Sequence, residues 1–208
     1  MAETETTVDR RTAIMDAAVK VFAAHGFDAG TIRQIAREAG VAEGLIYHYF
    51  ENKEALLYAV IQDRSMLAWL RRPEALPDDA PIDVALHALV TEGLTRMTDN
   101  IDLVAVIWSQ VATNPKLAQV LGRAIREMTD RISGYLDRKV ARGELRDINT
   151  AATARMIAGS MIAFTIQQHR LSPPLKLLSP DDYAASMVDV LVSGMRARDG
   201  EDAAHDTE

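Results

Sequence analysis

Apolar residues recur at the spacing of an α-helix in nearly every segment of this 208-residue chain. Runs of β-branched residues bounded by turn pairs, which would indicate strands, are missing. The sequence therefore predicts an all-α fold of about nine helices. The predicted helices span residues 9–25, 32–39, 43–49, 53–71, 81–98, 101–113, 115–141, 150–170 and 180–197.

Glycine and proline indicate where these helices begin and end. Asn114 and Ser179 each precede a proline, which is the arrangement of an N-cap followed by the first helical position. The proline-containing connections 72–80 and 171–179 are expected to be surface loops. Three glycines follow helical stretches and can end them in a left-handed conformation, namely Gly26, Gly40 and Gly143.

The formal net charge of −7 argues at first against a nucleic-acid partner, because phosphate contacts need Lys and Arg. The acids are concentrated at the ends of the chain, however. Residues 1–8 and 199–208 hold seven of the 30 acids and no Lys or Arg, so the stretch between them is neutral. We predict that both ends are solvated, disordered tails, and the net charge then does not exclude DNA.

Several functional classes have no residues to support them. The chain has no cysteine, which excludes disulfides and thiolate metal sites. It lacks the G-x-S-x-G, H-E-x-x-H and P-loop motifs, and its five histidines do not have metal-ligand spacing. We therefore expect no enzyme, no metal and no cofactor. The longest charge-free stretches are too short to cross a membrane, so a cytoplasmic protein with no membrane partner is expected.

Residues 31–50 contain two short amphipathic segments separated by a glycine. Thr31 and Gln34 fit the capping box S/T-x-x-E/Q that starts a helix. The apolar face of this helix is formed by Ile32, Ile35, Ala36 and Ala39. Gly40 then permits the tight turn into the next helix. Two short helices joined in this way are typical of a helix-turn-helix.

Three motifs within residues 10–61 extend this unit. The first helix ends with the pattern formed by Ala18, Phe22, Ala23, Gly26 and Phe27. The second motif is formed by Thr31, Ile35, Ala36, Ala39, Gly40 and Val41. The third is formed by Ile46, Tyr47, Tyr49, Phe50, Asn52, Lys53, Glu54 and Leu56. Together these motifs resemble the DNA-binding domain of the TetR family of transcriptional regulators, over about a quarter of the chain.

The resemblance implies a three-helix N-terminal bundle at 9–52, whose third helix enters the major groove of DNA. A larger helical domain at 53–198 would bind an effector and dimerise. Arg33 carries a planar guanidinium suited to guanine, and Lys53 lies where a helix N-terminus attracts phosphate. The implied DNA-binding residues are Thr31, Arg33, Glu43, Gly44, Leu45, Tyr47, His48, Tyr49 and Lys53.

The chain departs from the family pattern at two positions in this unit. Ala42 lies where the family often has Ser or Thr, which removes an N-cap hydrogen bond worth about 1 kcal/mol. Leu45 lies where a small or hydroxylated residue is common. Tyr47 and Tyr49 are about 200° apart around a helix, so they cannot both face DNA fully.

Residues 151–166 carry one charged residue, Arg155, so this helix is expected to be buried on all sides. It could lie at the centre of a monomeric core or face a second subunit. In the TetR family the last two main helices form a four-helix dimer interface, so the resemblance implies a homodimer. The implied interface residues are Ala158, Gly159, Ile162, Ala163, Tyr183, Met187, Val190, Leu191 and Gly194.

Large apolar residues of the C-terminal domain are candidates for an effector pocket, although ordinary core packing explains them equally well. A small apolar or amphipathic effector is expected. Arg131, His87 and Gln168 are possible polar anchors. The candidate ligand-binding residues are Trp69, Leu103, Ile107, Trp108, Met128, Arg131, Tyr135, Met161, Phe164 and Gln168.

These expectations favour a ligand-responsive transcriptional regulator, and in this family most often a repressor. Its partners would be a double-stranded DNA operator of near-palindromic sequence, a small-molecule effector and a second copy of the chain. The alternative is a helical ligand-binding or interaction protein whose helix-turn-helix no longer binds DNA. The acidic balance and the missing cap at Ala42 support that alternative.

Overall fold

A computed structural model describes residues 2–64, 66–171 and 178–196. The described residues form ten α-helices and one 3₁₀ turn, Pro73–Ala75, and contain no strand, which confirms the all-α prediction. The helices are α1 Ala2–Ala29, α2 Ile32–Ala39, α3 Glu43–Tyr49, α4 Lys53–Arg64, α5 Met66–Leu70, α6 Ile82–Asp99, α7 Ile101–Gln110, α8 Pro115–Ala141, α9 Thr150–Arg170 and α10 Pro180–Met195.

The predicted bounds of α2, α3, α8 and α9 are confirmed, and other bounds differ. The helix predicted at 53–71 is divided into α4 and α5. The helix α7 ends at Gln110 rather than at residue 113, and α10 ends at Met195 rather than at 197.

The structure places residues 2–8, expected as a tail, in the first turns of α1, and their disorder stays a prediction. Residues 2–25 contain no glycine or proline, so no helix-breaking residue separates them from the rest of α1. The acidic tail predicted at 199–208 lies outside the described residues.

The chain divides into two compact units, and neither is continuous in sequence. Unit 1 comprises the residues up to Ala68 together with Arg96–Arg126. Unit 2 comprises Trp69–Thr95 and the residues from Glu127 onward. These are units of packing, and the functional division predicted at residue 52 stays a prediction.

In unit 1, the helix α1 packs against α2, α4 and α7, and α2 packs against α3. Phe22 and Phe27 are buried, with their ring centroids 5.3 Å apart. Ile46 of α3 and Phe50 are also buried, so α3 is anchored through its apolar side. Burial of this apolar surface holds α1, α2 and α3 together.

In unit 2, a buried lysine fixes the loop that precedes α6. The ammonium of Lys139 donates hydrogen bonds to the carbonyls of Asp78 and Ala80, both at 2.9 Å. It also pairs with the Glu144 carboxylate at 2.7 Å, while its own side chain is only 2% exposed. All three donors of the ammonium therefore have acceptors, as a buried charge requires.

We predict that Lys139→Met lowers the free energy of unfolding by about 2–3 kcal/mol, because the Ala80 carbonyl and the Glu144 carboxylate lose their donor. The matched control is Lys20→Met. The ion pair of Lys20 with Glu38 lies at the surface, with side chains 70% and 42% exposed, so its loss is expected to cost less than about 1 kcal/mol. Urea unfolding of both variants measures the difference. Equal costs would show that the buried lysine does not secure the loop.

Candidate nucleic-acid interface and effector-binding residues

The first helix of the helix-turn-helix, α2, begins with the predicted capping box. The Thr31 hydroxyl oxygen accepts a hydrogen bond from the backbone N–H of Gln34 at 3.2 Å. The Gln34 side chain in turn accepts from the Thr31 N–H at 2.8 Å. These reciprocal bonds satisfy two of the N–H groups that a helix start leaves free, so the start of α2 is defined locally.

The turn between α2 and α3 depends on the backbone conformation of Gly40. Its φ of 66° and ψ of 33° lie in the left-handed region, and a Cβ there would meet no atom within 4 Å. Glycine is thus required for its dihedral angles and not for lack of space. The next helix starts at Glu43 with no side-chain hydrogen bond from Ala42, as the alanine at the cap position predicts.

The helix α3 exposes one face and buries the other. Tyr47 is 55% exposed, and Glu43, Gly44 and His48 are also exposed, as is Arg33 on α2. Leu45 and Tyr49 are half-buried. This difference between Tyr47 and Tyr49 agrees with their predicted separation around the helix. The exposed side chains of α2 and α3 thus include a guanidinium, a phenol and an imidazole, which are groups that hydrogen-bond to base edges and phosphates.

Lys53, at the start of α4, is engaged within the protein. Its ammonium donates to the carbonyls of Phe27 at 2.6 Å, Gly30 at 3.0 Å and Asp28 at 3.1 Å. It also lies 4.5 Å from the centroid of the Phe27 ring. Burial lowers the pKa of Lys53, while the carboxylates of Asp28 and Glu54 act in the opposite direction. Because all three donors are used, a phosphate would have to displace a carbonyl, and the predicted phosphate contact stays a prediction.

Two polar side chains near this lysine were not predicted as functional residues. The side-chain oxygen of Gln110 accepts from the backbone N–H of Phe27 at 2.9 Å. The Asn114 amide donates to the Asp28 carboxylate at 2.7 Å, while its oxygen caps α8 by accepting from Leu117 N–H at 3.0 Å. Only the cap could be found from sequence, because the other partners are more than 80 residues apart.

Two family models match the chain. The model described as "Bacterial regulatory proteins, tetR family" covers residues 14–60. The model described as "AefR-like transcriptional repressor, C-terminal domain" covers residues 85–193, which is more than half of the chain. The chain belongs to the TetR family. It is therefore a TetR-family transcriptional regulator with an N-terminal helix-turn-helix.

Two curated members of the TetR family illustrate the range of its relatives. The fatty acid metabolism regulator protein of Bacillus subtilis is 26% identical over 150 residues, which cover 71% of this chain and 77% of that protein. The transcriptional regulator UidR of Escherichia coli K12 is 29% identical over 149 residues, covering 71% of this chain and 75% of UidR.

A solved relative shares the fold. The crystal structure of FadR from Bacillus subtilis, in complex with stearoyl-CoA, aligns with a TM-score of 0.73 at 24% identity. The alignment covers 88% of this chain and 98% of the FadR chain. The helical architecture described above is thus the TetR-family fold. In the described part of the chain, no helix is long and apolar enough to cross a membrane.

The predicted dimer residues of this TetR-family chain differ in exposure. Ala158 is 4% exposed, so it packs within unit 2 and offers little surface to a second subunit. Its neighbour Gly159 is exposed, because one residue turns the helix by about 100°. The other exposed positions are Ala163, Val190 and Gly194, and Val190 is 71% exposed. The half-buried positions are Ile162, Tyr183, Met187 and Leu191.

The predicted ligand-binding residues are divided between the two units. Leu103 and Ile107 are buried and Trp108 is half-buried in unit 1. In unit 2, Met161 and Phe164 are buried, whereas Trp69 and Met128 are half-buried. Burial fits both a pocket lining and an ordinary core, so both interpretations of these apolar residues remain.

The polar members of that set have more specific surroundings. Tyr135 is fully buried, its hydroxyl has no hydrogen-bond partner among the described residues, and burial raises its pKa to about 12. Gln168 donates to the carbonyl of Leu178 at 3.1 Å, but its side-chain oxygen is buried without a partner among those residues. His87 lies 3.3 Å from the carboxylate of Asp181 at the protein surface.

Arg131 lines an open groove with a volume of about 290 Å³ in unit 2. Its guanidinium is exposed and weakly held, 3.4 Å from the Leu70 carbonyl and 3.8 Å from the Glu127 carboxylate. Four of the eight lining residues are arginines and one is acidic. Arg71 and Arg138 are already paired with Glu127 at 2.7 Å and with Asp78 at 2.8 Å, so an anion in the groove would be bound by Arg72 and Arg131. The lining residues are Leu70, Arg71, Arg72, Leu76, Asp130, Arg131, Gly134 and Arg138.

We predict that Gly26→Ala destabilises the protein more than Gly40→Ala. Gly40 lies in the left-handed region, which costs a residue with a Cβ about 1–2 kcal/mol. Gly26, with φ of 78° and ψ of 170°, lies in a region that only glycine adopts readily. A Cβ on Gly26 would also lie 2.2 Å from the side-chain nitrogen of Gln110, so this side chain would have to move and would give up its hydrogen bond to the Phe27 N–H. Gly44→Ala is the control, since Gly44 is helical and its Cβ would meet nothing within 4 Å.

Urea unfolding of the three variants ranks these costs, and Gly44→Ala is expected to be neutral or slightly stabilising. If Gly26→Ala and Gly40→Ala cost the same, the backbone conformation of Gly26 and the neighbouring Gln110 side chain add nothing to the cost of a Cβ there.

Proposed function

We propose that this TetR-family regulator is a repressor that binds a near-palindromic operator as a homodimer and is released by a small amphipathic effector. The observation that carries the proposal is the helix-turn-helix itself. Its first helix is capped at Thr31, its second is anchored through buried Ile46, and the polar face of the second remains exposed. The chain acts by binding and is not an enzyme.

Within this proposal, α3 enters the major groove. Arg33, Tyr47 and His48 contact base edges, because their exposed groups can donate or accept hydrogen bonds there. Thr31, which is exposed, and Tyr49, which is half-buried, contact phosphates. Glu43, Gly44 and Leu45 complete the proposed contacts on α3. Lys53 is not among them, because its three donors bind carbonyls within the protein.

The homodimer forms through α9 and α10 in this proposal. Their exposed residues include small ones, Gly159 and Ala163, which permit close approach of two helices, and the apolar Val190. Exposed apolar side chains on adjacent helices are typical of a subunit interface. A two-fold dimer presents two recognition helices to the two halves of a palindrome, so each half-site is read by one copy.

The proposed effector is an anionic amphiphile, with a long-chain acyl thioester as the first candidate. The solved FadR relative was crystallised with stearoyl-CoA, which combines an apolar chain with phosphate groups. The arginine-lined groove supports this class, because the guanidinium of Arg131 can bind a phosphate and the groove also contains Leu70 and Leu76. Release requires that the effector bind the DNA-incompetent state more tightly, and DNA must then weaken effector binding by the same factor.

The direct test is a binding assay with duplexes from the DNA that flanks the coding sequence. We expect a palindromic duplex to bind with a steep negative slope of log affinity against log salt concentration, and stearoyl-CoA to release it. Binding of the acyl thioester without binding of any duplex would instead support the alternative, a helical ligand-binding protein with a degenerate helix-turn-helix.

We predict that Arg33→Ala weakens operator binding by about 1–3 kcal/mol and relaxes the preference at one base-pair position. The control is Lys20→Ala, which removes an exposed cation that pairs with Glu38 at 3.0 Å. Fluorescence anisotropy against the operator and its single-base variants separates the two effects. A uniform loss of affinity over all sequences would assign Arg33 to a phosphate and not to a base.

We predict that Arg131→Gln weakens binding of stearoyl-CoA about tenfold, because a charge-assisted hydrogen bond is lost. Binding of an uncharged acyl ester should not change, since that ligand has no group for the guanidinium. Arg142→Gln is the control, because Arg142 follows α8 and is not among the residues that line the groove. Calorimetry with both ligands measures the effect, and equal losses for charged and uncharged ligands would remove Arg131 from the anion site.

A further inference from the structure

The end of α1 forms a corner, residues 26–30, that leads into α2 and the DNA-reading face. At Gly26 the backbone leaves helical geometry, with φ of 78° and ψ of 170°. The hydrogen-bonding pattern of a regular helix is therefore interrupted within α1. The polar backbone groups freed by such a break must find other partners.

Side chains from distant parts of unit 1 supply those partners. Gln110, the last residue of α7, accepts the N–H of Phe27 that directly follows the break. Lys53 donates to three carbonyls of the corner, those of Phe27, Asp28 and Gly30. Asn114 binds the Asp28 carboxylate.

The contacts also link the starts of two helices. Asn114 is 7% exposed and joins the corner to α8, since the same side chain caps that helix. Lys116 in the first turn of α8 pairs with Glu54 of α4 at 3.1 Å, beside Lys53. The beginnings of α4 and α8 and the end of α7 thus meet at one place, and α2 begins at Ile32, directly after the corner and the cap residue.

We propose that Lys53, Gln110 and Asn114 form a clamp that positions the helix-turn-helix by holding corner 26–30. Lys53 is a positioning residue in this arrangement: it acts on operator affinity through the corner and not by contacting a phosphate. The clamp rests on the proposed operator binding. It goes beyond that function by assigning a residue outside the DNA-reading helices, Gln110, to the affinity for DNA.

Salt dependence separates the two roles of Lys53. If the ammonium contacted a phosphate, Lys53→Met would reduce the slope of log affinity against log salt by about 1. The clamp predicts a roughly tenfold lower operator affinity with an unchanged slope. Lys53→Arg discriminates further, because a guanidinium keeps the charge but cannot direct three compact donors at three carbonyls. The clamp therefore predicts that arginine does not rescue binding, whereas a phosphate contact predicts that it does.

Gln110 provides a pair of variants that tests the clamp away from any phosphate contact. Gln110→Leu removes the acceptor of the Phe27 N–H and is expected to lower operator affinity severalfold with an unchanged slope. Gln110→Glu keeps an oxygen acceptor and is expected to retain at least half of the wild-type affinity. Hydrogen exchange at the Phe27 amide gives a readout independent of DNA, and it should accelerate in Gln110→Leu but not in Gln110→Glu.

Failure of the clamp is distinguishable from failure of operator binding. If wild-type protein binds no duplex, the proposed function fails, and the exchange rate at Phe27 still tests the Gln110 contact. Three results together would overturn the clamp in a wild-type protein that binds the operator. Lys53→Met would reduce the slope of log affinity against log salt by about 1, Lys53→Arg would bind normally, and Gln110→Leu would keep full affinity. Circular dichroism at the assay temperature establishes that each variant is folded. If Lys53→Met is not folded, the operator affinities of Gln110→Leu and Gln110→Glu decide the question.

Discussion

The break in α1 at Gly26 is the constraint on which the N-terminal unit depends. A helix that leaves its regular geometry leaves an N–H and several carbonyls without partners, and burying them unpaired would cost stability. Here an amide from α7 and an ammonium from α4 supply those partners. An asparagine ahead of α8 adds a hydrogen bond to the side chain of Asp28 in the same corner. The direction in which α2 and α3 leave the bundle is consequently set by residues from three other segments of the chain.

Features encoded by neighbouring residues could be predicted from sequence. The predicted bounds of α2 and α3 are correct because Thr31, Gln34 and Gly40 determine them through local hydrogen bonds and one positive φ. Those of the long helices α8 and α9 are correct because Asn114 and Asn149 cap their starts. The start of α1 at Ala2 differs from the prediction, since a short acidic segment without apolar periodicity is typical of a tail although nothing in it prevents a helix.

Contacts between distant residues account for most of what the sequence does not reveal. Lys53 belongs to the motif that implies a phosphate contact. The three carbonyls that its ammonium binds lie 23 to 26 residues earlier in the chain. Ala158 has the same small side chain as exposed Ala163, and only the packing of α9 shows that it faces inward. Arg131 is an isolated anchor in the sequence, whereas Arg71 and Arg72 of the same groove come from a different segment. In each case residue type suggests a role and the tertiary environment determines it.

The clamp residue Asn114 also has a chemical consequence over time. Asparagine commonly deamidates to aspartate when the backbone nitrogen of the following residue attacks the side-chain amide. Pro115 follows Asn114, and its ring nitrogen carries no hydrogen and is a poor attacking group. Conversion of Asn114 would place a second carboxylate beside that of Asp28, where a donor now lies at 2.7 Å. The proline that begins α8 therefore also protects the contact at Asp28 against spontaneous loss.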